Sequence, residues 1–192
     1  MGGERTWRRG AAPQIRRVIG EVFVKRTSVQ SEIRQARPFR SKKQEATVAL
    51  LRTASVVGRT LARVLEPWKL SLAQYNALRI IRGAGTAGIA TLAVRERMIE
   101  EGTTITRIVD RLEEAGYVER ERSTPDRRQV VCRVTAAGAK LLDKIDPLID
   151  AADEAAVSAL DARELAHFVD LLDTIRAANA ERGAPRTMVR SS

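Results

Sequence analysis

The feature that most constrains the fold is a change of apolar period around Gly116. In the run TTITRIVDRLEEAG (103–116), Ile105, Ile108, Val109 and Leu112 recur at three- and four-residue spacing, the buried stripe of one helix. Gly116 suits the left-handed position just past a helix end. Directly afterwards Tyr117 to Arg122 and Gln129 to Val134 alternate, which predicts two short strands with Val130, Cys132 and Val134 on one face. Between them Ser-Thr-Pro-Asp-Arg-Arg (123–128) is turn chemistry. The segment reads as a helix followed at once by a hairpin with a basic tip.

The flanks are helical. From Lys42 to Glu66 the residues Leu50, Ala54, Val57, Leu61 and Val64 mark one face, and Pro67 stops that helix. Ser71 and Gln74 have capping-box spacing and open a second helix through Tyr75, Leu78 and Ile81 to the breakers Gly83 and Gly85. Thr91 is expected to cap a short helix ending near Met98, with Leu92, Val94 and Met98 apolar, before the turn 99–102. Thr135 is expected to cap a long helix with Leu141, Ile145, Leu148, Ala152 and Ala159 on one face and a kink at Pro147. Asp161 and Glu164 start a last helix with the seam Leu165, Phe168, Leu172 and Ile175.

The fold class is therefore mainly α with a small β-hairpin wing: a winged helix-turn-helix plus a helical dimerisation region. Residues 1–41 are a basic N-terminal arm, expected to be flexible at least to about 27, because no sustained period runs through them. Residues 42–180 are expected to form the winged helix-turn-helix domain, with 42–66 and 136–180 as dimerisation helices and 71–134 as the winged part. Residues 181–192 are expected to be a flexible tail.

Charge locates the basic excess. Of the net charge of +10, residues 1–44 supply 12 Lys/Arg against 3 Asp/Glu, so the rest is nearly neutral. Net charge alone thus says little about DNA, and local arrangement has to carry that reading. The longest charge-free stretch, Gly83 to Val94, is far short of the ~20 apolar residues of a membrane span. One cysteine and one histidine make neither an internal disulfide nor a Cys/His metal site. A cytoplasmic protein without membrane partner, metal or cofactor is expected. The single His has no nucleophile at a recognisable motif spacing and no Gly-rich phosphate loop precedes a helix, so no enzyme is expected.

The polar residues off the recognition-helix stripe are Thr103, Thr104, Thr106, Arg107 and Arg111, placed to reach base edges in a major groove. An Arg-rich helix face is often only a solvated face; here Arg127 and Arg128 of the wing follow at once. The runs LSLAQYNALRII (70–81), TTITRIVDRLEEAGYVERE (103–121) and PDRRQVVCRVTAAGAKLL (125–142) resemble the MarR-type family of bacterial transcriptional regulators. The resemblance spans roughly Lys42 to Arg176. It implies a triangular homodimer with interlocking first and last helices, binding a pseudo-palindromic double-stranded DNA operator, most simply as a repressor. It places Thr104, Thr106 and Arg107 at DNA-contacting positions. Asp126 and Arg128 match the wing pair whose Arg enters the minor groove, with Arg127 near the phosphates, and Asp110 is expected to orient a wing Arg. Arg95 departs from the family pattern, standing where a small residue is usual.

The resemblance also implies a small aromatic effector, an acid or a phenol, in a pocket that Trp68 and Tyr75 would help to form. Cys132, on the apolar strand face with no resolving partner, is expected to be buried and inert rather than a redox sensor. The competing reading is an architectural winged-helix protein, or a dimeric interaction module, without sequence selectivity or effector response.

Overall fold

The computed structural model describes residues 27–100, 104–122 and 129–183. In chain order they form α1 (Val29–Glu32), α2 (Lys42–Leu65), α3 (Leu72–Gly83), β1 (Ile89–Ala90), α4 (Thr91–Glu96) and α5 (Ile105–Glu114). β2 (Val118–Arg122), β3 (Val130–Val134), α6 (Ala136–Val157) and α7 (Ala162–Gly183) complete them. The described residues are mainly helical with one small antiparallel sheet, as the change of period predicts. No helix among the described residues is long and apolar enough to cross a membrane.

Local chemistry sets most of the helix starts. At α3 both halves of the capping box form: the Ser71 hydroxyl accepts from the Gln74 amide at 3.1 Å, and the Gln74 side-chain oxygen accepts from the Ser71 amide at 2.8 Å. At α7 the Asp161 carboxylate accepts from the Glu164 amide at 2.8 Å, and Glu164 returns the bond at 3.0 Å. The Thr135 hydroxyl caps α6, accepting from the Gly138 amide at 3.1 Å while donating to the Gly116 carbonyl at 2.7 Å. One side chain thereby starts α6 and pins the turn that leaves α5. Gly116 makes that turn at φ +74°, a conformation that a side chain would strain. α6 runs through Pro147 to Val157.

Three expectations are corrected. Thr91 does not cap α4: the cap position is Ala90, and the Thr91 hydroxyl instead donates to the Val130 carbonyl at 3.2 Å. The reason is β1, a two-residue strand that pairs Ile89 with Cys132 and Ala90 with Val131, so sheet pairing rather than a side chain fixes where α4 begins. Leu92 faces solvent, 57% exposed, and Val94 is the fully buried residue of α4. Ala159 lies past the end of α6 and is exposed.

The sheet order is β1-β3-β2, with Val118 opposite Val134 and Arg120 opposite Cys132. Side chains of α2, α3, α5 and α6 fill the core below it, among them Leu65, Leu78, Ile81, Val109, Leu112 and Ile145. Residues up to Asp153 form one compact unit, and those from Glu154, which include α7, form a second. α7 buries none of its described side chains, and Val169, Leu171 and Ile175 are each more than 40% exposed.

Candidate nucleic-acid interface

α5 is two-faced. Ile105, Ile108, Val109 and Leu112 are buried in the core, which turns Thr104, Thr106, Arg107 and Arg111 outward, all exposed. Burial of the stripe fixes the rotation of the helix, so the polar set faces solvent as a rigid group. Thr104, Arg107 and Arg111 border a shallow hollow of about 330 Å³ whose other wall is the start of α3, Ser71 and Gln74. These last two were read from sequence as a helix cap only. Their capping spacing explained them fully, and nothing local shows that the cap faces the α5 arginines.

The wing is tied to α5 by charge. Arg120 of β2 reaches Asp110 at 2.7 Å and Glu113, whose carboxylate accepts its Nε at 2.9 Å. That hydrogen bond, more than Coulomb attraction, holds the Glu113 carboxyl below its ordinary range, against a smaller opposing effect of desolvation. Asp110 thus serves an arginine of the wing strand. On β3, Arg133 donates to Glu121 at 2.8 Å and to the Thr86 carbonyl at 3.0 Å. Thr103, Asp126, Arg127 and Arg128 lie outside the described residues. Arg95 is exposed.

A second concavity of about 690 Å³ opens beside α2, α3 and the body of α6. Leu61, Leu72, Tyr75, Ile80, Met98 and Ile149 give it apolar walls. Tyr75 lines it while donating its hydroxyl to Asp146 at 2.8 Å. Burial first, then that bond, push the Tyr75 phenol well above its ordinary range. Asp146 also takes Arg82, so α3 and α6 are joined by a small network. Trp68 packs against the core and is not among the lining residues. Cys132 is fully buried, and desolvation pushes its thiol up, away from the reactive thiolate. His167 is exposed on α7.

The MarR family model matches residues 70–130, from the residue before the α3 cap to the first residue of β3. The transcriptional regulator HosA of Escherichia coli O157:H7 is 33% identical over 103 residues, 54% of this chain and 75% of HosA. The chain belongs to the MarR family. Solved structures agree with its fold. The MarR transcription factor from Planctomyces limnophilus is 34% identical, with a TM-score of 0.55 over 71% of this chain and 99% of that one. A mutant MarR from E. coli, solved in complex with operator DNA, is 26% identical, with a TM-score of 0.58 over 70% of this chain and 99% of that one. The protein is a winged-helix transcriptional regulator of the MarR family.

Proposed function

We propose that the protein recognises a pseudo-palindromic operator as a homodimer, represses from it, and leaves it when a small molecule enters the cavity beside α3. The observation that carries the DNA reading is the outward set Thr104, Thr106, Arg107 and Arg111 on a helix whose opposite face is wholly buried. A helix so held can lay its first turns in a major groove, where Arg reads guanine edges and Thr meets polar or methyl groups. The α3 cap beside it suits a backbone phosphate, which positions the helix without reading sequence. That a MarR relative was solved in complex with operator DNA supports DNA as the partner.

Arg128 is assigned to a narrow minor groove, where negative potential attracts a guanidinium, with Asp126 positioning it and Arg127 on phosphate. Effector release requires the ligand to favour one spacing of the paired recognition helices over the other. The cavity wall Tyr75, joined to α6 through Asp146, gives a ligand something on α3 to move.

Titration of the operator and of a scrambled duplex tests the reading. Arg107→Ala is expected to lose on the order of 1–3 kcal/mol of operator binding and to relax selectivity at one position. Arg128→Ala should lose a similar amount, shrinking when flanking A·T pairs become G·C, while Arg127→Ala weakens all sequences alike. Scrambled DNA bound within roughly tenfold of the operator would favour the architectural reading, since specific binding usually exceeds non-specific by ~10³ or more.

A further inference from the structure

The buried stripe sets how α5 is rotated, but the start of the helix is held less firmly. α3, α6 and α7 each begin on a side-chain cap, whereas Thr104, at the cap position of α5, makes no such bond. The bond from the Ile108 amide to the Thr104 carbonyl is long, at 3.4 Å. The chain reaches α5 from the end of α4. There the amides of Arg97 and Met98 still donate to the last turn of α4, at the Val94 and Arg95 carbonyls. The Ile99 amide instead donates to the side-chain oxygen of Asn76 on α3, at 3.0 Å and 23 positions away. The Ile99 side chain is 84% exposed, so this bond and not packing of that side chain holds the linker here. Six residues later α5 begins.

Asparagine is a poor residue for a helix interior, because its carboxamide competes for nearby backbone groups. Asn76 nevertheless stands in the body of α3, half-buried, between the buried Tyr75 and Ala77. α3 is a firm support for it. The capping box fixes the helix start, and Tyr75 and Arg82 both tie the helix to Asp146 of α6. We propose that Asn76 is a positioning residue for operator recognition. By holding the Ile99 amide on α3 it sets where the linker delivers the first turn of α5, and so whether Thr104, Thr106 and Arg107 meet base edges together. The proposal rests on α5 being the DNA-reading helix. Base contacts need that register, whereas phosphate contacts tolerate its loss, so Asn76 acts on selectivity more than on general affinity.

The test uses the full chain, a duplex that the parent selects from a random-sequence pool, and a scrambled duplex of equal composition. Asn76→Ala removes the acceptor and puts the best helix former in its place, so α3 is not weakened. DNA binding then has to order a linker that the bond holds in the parent. The selected duplex is expected to bind about three- to tenfold more weakly, with scrambled binding unchanged. Asn76→Asp keeps an acceptor and should restore the ratio of selected to scrambled affinity, which is compared because added charge weakens both alike. In NMR exchange, the Ile99 amide should be protected in the parent and in Asn76→Asp, and exchange about tenfold faster in Asn76→Ala. An Ile99 amide unprotected in the parent or equally protected in Asn76→Ala, an undiminished ratio in Asn76→Ala, or an Asn76→Asp as poor as Asn76→Ala would each overturn the proposal. A parent that prefers no duplex sinks the operator reading itself, whereas a preference that Asn76→Ala keeps in full sinks only the role of Asn76.

Discussion

At Gly138 the first turn of α6 lies against the backbone that leads from α5 into the wing. A β-carbon there would run into the Tyr117 carbonyl oxygen and come within 3.0 Å of the Val134 side chain. Tyr117 has little room to retreat, since its carbonyl accepts from the Thr135 amide at 3.0 Å and its own amide donates to Leu112 at 2.9 Å. Gly138→Ala is therefore expected to cost on the order of 1–3 kcal/mol in urea unfolding, despite the better helix propensity of alanine. Gly58 of α2 is the contrast: its β-carbon would meet only Leu72 Cδ1, at 3.9 Å. There propensity should win, and Gly58→Ala should be neutral or stabilising by up to about 1 kcal/mol. Equal effects at the two positions would show that the approach to Tyr117 is soft. Single residues were legible in the sequence only where a face or a cap determined them. The exposure of Thr104, Thr106, Arg107 and Arg111 follows from the stripe they complement. The Tyr75–Asp146 bond, spanning 71 positions, leaves no local trace.

At the scale of elements, the starts of α3, α6 and α7 were readable because a cap acts within four residues of itself. β1 was not, because two residues carry no period and pair only after α4 and the hairpin have been brought together. The misreading of Thr91 follows from that one missing strand, whereas Leu92 is exposed because, two positions from the buried Val94, it lies on the opposite side of α4. The joint between α5 and the wing makes a testable prediction in pH. Glu113 titrates below its ordinary range because Arg120 donates to it. A depressed acid contributes stability that is present above its unfolded pKa and lost as pH falls through the folded value. Asp153, raised by desolvation, has the opposite sign: it costs stability at neutral pH, and the cost is relieved as pH falls through its raised value. Carboxyl carbon NMR titration should find Glu113 low and Asp153 high, and Arg120→Gln should return Glu113 toward its ordinary value without moving Asp153. A Glu113 that stays low in Arg120→Gln would place the cause elsewhere.

For the molecule as a whole, surface composition argues for assembly. α2 leaves Leu51 66% and Val56 38% exposed, and α7 adds Val169, Leu171 and Ile175 with no buried side chain among its described residues. Each of these helices leaves large apolar side chains in solvent, and the proposed homodimer would cover them with a second copy of the chain. The proposed homodimer would hold its two α5 helices at one separation, so half-sites should lie about one helical turn, ~10 bp, apart. Inserting ~5 bp between them rotates one half-site by half a turn to the far side of the duplex, a displacement that a packed helical interface does not follow. The operator so altered is expected to bind no better than a single half-site, and sedimentation of the free protein at micromolar concentration should give a dimer. Two independently docking monomers would tolerate the insertion, because each would find its half-site on either face of the DNA. Undiminished affinity after the ~5 bp insertion, or a monomer in the centrifuge, would therefore sink the homodimer, and with it the two-fold operator that the paired helices were assigned to read.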